Sequence, residues 1–217
     1  VPTMPGAENA KIRLIMDLRR RGIADARVLD ALERVPREEF VDIAQRSRAW
    51  EDRALPAPHG QSISQPYIVA LMTQALELNE RMIVLEIGTG TGYQAAVLSH
   101  LARRVYTIER IAPLLKQAEE RFAALGLRNI VTRLGDGNAG WPEAAPFDRI
   151  IVTAAAEEVP QHLVDQLKPD GILLIPVGPR DGDQNLLSIR REIDGVSVKT
   201  ILAVRFVPLE SGVKRGG

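Results

Sequence analysis

The sequence predicts an α/β fold: a mostly parallel, doubly wound sheet with antiparallel strands at its C-terminal end and a helical cap at its N-terminal end. Three observations predict it. Short apolar runs alternate with helical periodicity between residues 83 and 177, and continuous apolar strands of that kind belong to parallel sheets covered on both faces. The first run ends in Gly88-Thr89-Gly90-Thr91-Gly92, which turns a strand into a helix. Beyond residue 186 the style changes to two extended runs joined across Asp194-Gly195, a hairpin signal.

The elements follow in order. Val1-Pro2-Thr3-Met4-Pro5-Gly6 reads as an irregular lead-in. Ile12, Ile15, Met16 and Leu18 recur at helical spacing over 7–20. A second helix spans 25–35, with Val28, Leu29 and Leu32 on one face, and Pro36 ends it. A short helix follows over 38–45. Residues 55–65, rich in Pro, Gly, Ser and Gln, form a loop, and unstructured loops of that length are often functional. Pro66 starts the next helix, at the position where proline is favoured, with Ile68, Val69, Leu71, Met72 and Leu76 on its apolar face. Strands at 83–87, 105–108, 130–134, 149–152 and 172–177 then alternate with helices at 93–102, 111–125 and 159–167. Runs 186–191 and 198–207 close the chain. Residues 1–65 are the cap and its loop, and 66–217 the sheet domain with its C-terminal hairpin, in a single compact unit.

Bulk properties exclude several function classes. The formal net charge is zero, from 28 basic and 28 acidic residues, so no positive field draws nucleic acid. Arg19-Arg20-Arg21 reads as a solvated helix end. The chain has no cysteine, which excludes disulfides, thiolate metal sites and cysteine nucleophiles. No apolar run approaches a membrane span, and no secretory signal is visible. His59, His100 and His162 lie far apart, so no metal site is expected. These features fit a cytoplasmic protein with no nucleic-acid or membrane partner; a monomer is expected.

The glycine loop narrows the ligand. A dinucleotide fingerprint needs its third glycine one position beyond Gly92, for close helix–strand packing around a pyrophosphate. Tyr93 stands there instead. Gly88, Gly90 and Gly92 suit a smaller nucleoside ligand such as S-adenosylmethionine pressing against backbone. Glu109 ends the second strand about 20 positions on, where an acid pairs with ribose hydroxyls. Asp136 and Gly137 end the third strand, placed for an adenine amino group and its ring. Glu86, inside the first strand, is a candidate to orient the loop or face the methionine amino group.

The loop His59-Gly60-Gln61-Ser62-Ile63-Ser64-Gln65-Pro66-Tyr67 gathers hydroxyls, an amide and an imidazole. Ser64 or Gln65 is also placed to cap the helix at Pro66, and both readings stand. The ordered set G-Q-S-I-S-Q-P-Y, V-L-E-I-G-T-G-T-G-Y-Q-A-A, G-D-G, A-P-F-D-R-I-I-V-T-A-A-A, L-K-P-D-G, I-P-V-G and R-F-V-P-L resembles the protein-L-isoaspartate O-methyltransferases in their bacterial form, from about residue 27 to 209. The glycine loop is shared widely among methyltransferases; the S-I-S-Q-P loop and the A-P-F-D to T-A-A-A block are more specific. Asp170 departs from the family, which often has glycine there, and Asn138-Ala139 follows G-D-G loosely.

The resemblance implies a Rossmann-like S-adenosylmethionine-dependent methyltransferase fold. It implies methyl transfer to the free carboxylate of L-isoaspartyl residues in damaged proteins and peptides, whose ester closes to a succinimide that reopens as aspartate. It matches Ser64 to the active-site serine. Gln65, Tyr67, Gly88, Glu109, Asp136 and Gly137 match cofactor positions, and Ile63 and Val207 match backbone contacts to the peptide. A carboxylate nucleophile is ionised at neutral pH, so no strong base is required and Ser64 is read as an orienting group. Residues 204–209 are the expected strand edge for sequence-tolerant peptide pairing, with Pro208 limiting its extent. Methylation of a small molecule or RNA is the alternative within the same fold. A nicotinamide dehydrogenase and a non-catalytic module are disfavoured by the missing glycine and by the intact Ser64 loop.

Overall fold

A computed structural model describes residues 7–215 of the chain; the expected lead-in at 1–6 lies outside the described residues. Two short strands, β1 (Leu55–Ala57) and β2 (Gln61–Ile63), form a small hairpin. The main sheet has seven: β3 (Ile83–Ile87), β4 (Arg104–Glu109), β5 (Ile130–Leu134), β6 (Phe147–Val152), β7 (Leu167–Val177), β8 (Gln184–Glu192) and β9 (Gly195–Val204). They lie in the order β5-β4-β3-β6-β7-β8-β9. Pairs β3–β4, β4–β5, β3–β6 and β6–β7 are parallel, whereas β7–β8 and β8–β9 are antiparallel. The strand order reverses at β3, so the C-terminal ends of β3, β4 and β6 open onto one crevice, where ligands of open α/β sheets bind.

Alternation within each strand divides two cores. Val84, Ile151 and Leu174 face a cluster shared with α1 (Ala7–Arg20), α2 (Ala26–Arg34), α3 (Pro66–Ala75), α4 (Tyr93–Ser99) and α5 (Ala112–Ala124). Their neighbours Leu85, Ile87, Ile150, Val152, Leu173 and Ile175 face a second cluster with α6 (Gln161–Asp165). Both faces are thus covered, which is why these strands read as continuous apolar runs.

Several boundaries differ from the sequence expectation. On α1 the buried residues are Leu14 and Leu18, while Ile12 and Met16 face outward at 47% and 51% exposure. The face is set by packing on α2, which apolar counting does not reveal. The span 38–45 holds two 3₁₀ turns, Arg37–Phe40 and Ile43–Arg48. The segment 55–65 is not bare loop, since β1 and β2 pair antiparallel there. The α6 helix stops at Asp165, because Phe147 N–H donates to the Gln166 carbonyl and Leu167 already pairs with Phe147 in the sheet. Glu192 pairs with Gly195, so Ile193 and Asp194 form the hairpin loop. The last strand ends at Val204 and not 207: Gln184 Oε1 takes the Phe206 N–H, and the chain then turns off the sheet.

Candidate active site

A cavity of about 810 Å³ lies at the C-terminal ends of β3 and β4, between the glycine loop, the 59–65 loop and residues 203–214. Of the residues singled out from sequence, Ile63, Ser64, Gln65, Gly88, Gly90, Glu109, Gly137 and Val207 line it. Tyr67, Glu86, Gly92 and Asp136 are not on its walls, and each has another place in the structure.

The glycine loop is held from behind. Gly88 and Gly92 have φ of 97° and 93°, and a Cβ there would meet Thr153 Oγ1 at 2.5 Å and the Phe122 ring at 2.7 Å. Those two glycines are required by the protein's own packing. Gly90, at φ 53°, has nothing within 4 Å of its missing Cβ, so it is the one that leaves room for a ligand. A Cβ at Gly137 would strike the Ile87 side chain, so that glycine also serves packing before it serves a ring. The loop amides are mostly committed internally: Gly88 and Thr89 donate to the Ile108 carbonyl, Gly90 to Glu109 Oε2 and Gly92 to the Thr89 carbonyl. A phosphate cradle needs such amides free. The observed bonding therefore fits a nucleoside better than a pyrophosphate.

Glu109 receives Gly90 N–H at 2.8 Å on one oxygen and Ile111 N–H at 2.9 Å on the other, leaving lone pairs toward the cavity. Glu86 is fully buried, and burial pushes its carboxyl up to about 8, with the Thr107 hydroxyl opposing the rise and the Glu109 charge adding to it. Thr107 Oγ1 donates to Glu86 Oε2 and lies 2.6 Å from Thr89 Oγ1. Glu86 therefore reaches the glycine loop through two threonines. Asp136 caps the turn at Gly137–Ala139 by accepting from Asn138, and its other oxygen takes Gly212 N–H at 2.7 Å. Those bonds hold its carboxyl below the usual range against the opposing effect of burial.

Neither Ser64 nor the Gln65 side chain caps α3. Asp52 does: Oδ1 accepts Tyr67 N–H at 2.8 Å, and Oδ2 accepts from Gln65 Nε2 at 3.1 Å and from Arg21. Arg21 also lies 3.5 Å over the Tyr67 ring, so one residue of the basic run is a structural clamp. The Ser64 hydroxyl is left without an intramolecular partner among the described residues, on the cavity wall. Sequence reading missed Asp52, which meets α3 from 15 residues before Tyr67 with no local pattern to mark it. It also missed Arg37, which donates to the Ser64 carbonyl at 2.8 Å, and Thr153, whose hydroxyl donates to the Ile87 and Gly88 carbonyls. His59 is exposed at the rim with φ 60°, beside Gly60 at φ 71°. Among the described residues no group of acids and histidines could hold a metal.

The segment after β9 roofs the cavity. Ala155 N–H donates to the Val207 carbonyl, Leu209 N–H to the Ala155 carbonyl, and Lys214 N–H to the Arg110 carbonyl. Arg110 adds three bonds, to Glu210 at 3.0 Å, Gly212 at 3.1 Å and Ser211 at 3.2 Å. The Val207 N–H has no partner among the described residues, so it remains available to a bound chain.

The family described as "Protein-L-isoaspartate(D-aspartate) O-methyltransferase (PCMT)" matches residues 9–214. A protein-L-isoaspartate O-methyltransferase of Parvibaculum lavamentivorans is 59% identical over 98% of this chain and 97% of its own length. One from Paramagnetospirillum magneticum is 56% identical over 97% and 99%. A solved structure titled protein-L-isoaspartate O-methyltransferase superposes with a TM-score of 0.85 at 29% identity, covering 94% of this chain and 67% of that one. Another, from Plasmodium falciparum, is described as in complex with S-adenosyl-L-homocysteine and superposes at 0.80 with 26% identity, covering 91% and 97%. Fold and kinship agree, and the chain belongs to the protein-L-isoaspartate O-methyltransferase family.

Proposed function

We propose that this chain methylates the free carboxylate of L-isoaspartyl residues from S-adenosylmethionine, with Ser64 orienting the acceptor and the glycine loop and Glu109 orienting the donor. The observation that carries it is the unpartnered Ser64 hydroxyl on the same cavity wall system as Gly90 and Glu109. S-adenosylmethionine supplies an activated methyl group on sulfur. The residues present fit it: Gly90 leaves open space, Glu109 keeps acceptor capacity for ribose hydroxyls, and Ile111 and Leu209 offer apolar walls. Gly137 bounds the same end of the cavity. Gln65 steadies the Ser64 loop through Asp52, and Tyr67, in the first turn of α3, does so through its N–H to the same carboxylate. Glu86 and Gly92 support the glycine loop from its buried side, and Asp136 supports the Gly137 turn and the roof.

The acceptor carboxylate is already ionised at neutral pH. The protein's task is to align it and exclude water, and positioning is worth about 7–11 kcal/mol in favourable cases. Ser64 donates its hydroxyl hydrogen to one carboxylate oxygen, leaving the other to react. Among the described residues no base–acid pair of the triad kind stands beside Ser64, so it does not become a covalent nucleophile. Ile63 and the free Val207 N–H hold the flanking peptide backbone, which gives tolerance of sequence. The methyl ester then closes to a succinimide without further help from the protein. The partners are isoaspartyl proteins and peptides met by a cytoplasmic monomer, without nucleic acid or membrane.

The test uses two synthetic peptides identical except for isoaspartate or aspartate at one position. Labelled methyl should pass only to the isoaspartyl peptide and leave in base as methanol. Labelling of neither, with donor still bound, would move the acceptor to small molecules or RNA.

A further inference from the structure

Arg37 is completely buried, and among the described residues no carboxylate lies within ion-pairing distance of it. Asp52, the acid whose charge acts on it, is engaged with Arg21. A buried cation without a counter-ion is costly, and an apolar side chain of similar volume is often an equal or better filler. Packing alone therefore gives no reason for an arginine here. Its hydrogen bonds all run to backbone carbonyls: Ala49 at 2.8 Å, Arg53 at 3.5 Å and Ser64 at 2.8 Å. Its guanidinium carbon sits 4.7 Å from the centre of the Tyr93 ring. Tyr93 is the first residue of α4, directly after the glycine loop, and lines the cavity. Among the described residues Arg37 Nη1, the Tyr93 hydroxyl and Glu38 Oε2 are all buried without a hydrogen-bond partner, so this is not a completed hydrogen-bond network of the core. What this side chain does specifically is join the acceptor-side loop to the donor-side loop.

We propose that Arg37 is a positioning residue for methyl transfer: by clamping the Ser64 carbonyl and lying over the Tyr93 ring, it sets the separation between the Ser64 hydroxyl and the glycine loop. The inference rests on the reading of Ser64 as the group that orients the acceptor. It touches neither substrate nor donor, so its removal acts on kcat through a misplaced Ser64. A misplacement of about 1 Å can cost about 10²-fold in rate. Lysine retains the charge but has neither the planar fork for several carbonyls nor the stacking surface.

The experiment compares wild type, Arg37→Lys and Arg37→Ala in transfer to the isoaspartyl peptide, with donor Kd and thermal midpoint measured on each. In both variants kcat should fall by about 10²-fold, with donor Kd nearly unchanged. Millimolar guanidinium ion should restore part of the rate of Arg37→Ala and not alter wild type. Leu18→Ala, a packing loss remote from the cavity, provides a protein of lowered stability whose kcat should be unaltered. Should Arg37→Ala fail to fold, Arg37→Lys decides alone. A wild-type kcat in the folded variant, or a loss shared equally by kcat and donor Kd, overturns the proposal. No transfer by wild type itself would overturn the Ser64 reading and this one together; normal transfer by wild type and variant overturns only this one.

Discussion

The Ser64 hydroxyl faces the cavity unengaged because Asp52 has taken the capping task that a serine before Pro66 would ordinarily perform. Replacing Ser64 by alanine should therefore leave the thermal midpoint and donor Kd close to wild type while kcat falls about 10²-fold; a lost donor affinity would contradict the orienting role. Glu86 makes a different prediction. Its folded-state pKa of about 8 lies above the ordinary carboxylate value. Between those two values the native state holds a proton that the unfolded chain has released, so stability is full at low pH and declines as pH rises toward 8. Glu86→Gln keeps an acceptor for Thr107 and has no proton to lose. Its midpoint should not show that decline, and it should exceed wild type above pH 8. Equal slopes in thermal melts from pH 5 to 9 would remove Glu86 as the cause. At Gly92 the left-handed φ and the Phe122 ring act together. Gly92→Ala should destabilise by about 1–3 kcal/mol in denaturant titration.

Elements were legible where one pattern determines them and obscure where distant chain does. Helix α2 shows its apolar face and its Pro36 stop within one stretch of sequence, and the structure has both, with Asp25, read as its first residue, standing as its N-cap. Strands β3 and β5 match their expected limits because apolar runs end in glycine or polar turns. The β1–β2 hairpin had no such signal, since its three-residue strands are too short to show alternation. The end of β9 is fixed by Gln184 and Ala155, both remote in sequence, so a run of extended residues continued past the true boundary. Asp170 explains its own departure: at φ 61° it occupies backbone that glycine adopts without strain. The glycine loop and Ser64 loop were legible as chemistry, but Asp52 and Arg37 act through tertiary contact alone. One consequence can be tested at the level of the turned-off strand. Val207→Pro removes an N–H that has no acceptor among the described residues while keeping the carbonyl bonded to Ala155. Peptide KM should rise selectively by about tenfold, the loss expected for one hydrogen bond, and an unchanged KM would count against the backbone contact.

At the scale of the molecule, one sheet arranges three sources of site residues: loops after its central parallel strands, the 59–65 loop in front of α3, and the roof beyond its last antiparallel strand. Arg110 fastens that roof next to Glu109. Arg110→Ala should raise the donor dissociation rate about tenfold, in keeping with the loss of bonds from a charged donor. Stopped-flow release of S-adenosylhomocysteine would measure it, and an unchanged rate would mean that the roof does not limit exit. The placement of the roof has a consequence for biosynthesis. Residues 203–214 leave the ribosome after every strand of the parallel sheet, so the growing polypeptide can lay down β3 to β7 while its nucleoside chamber still lacks a ceiling. A nascent chain arrested with residue 202 just emerged should already be compact yet unable to retain S-adenosylhomocysteine, and the capacity should appear abruptly as residues 203–214 follow.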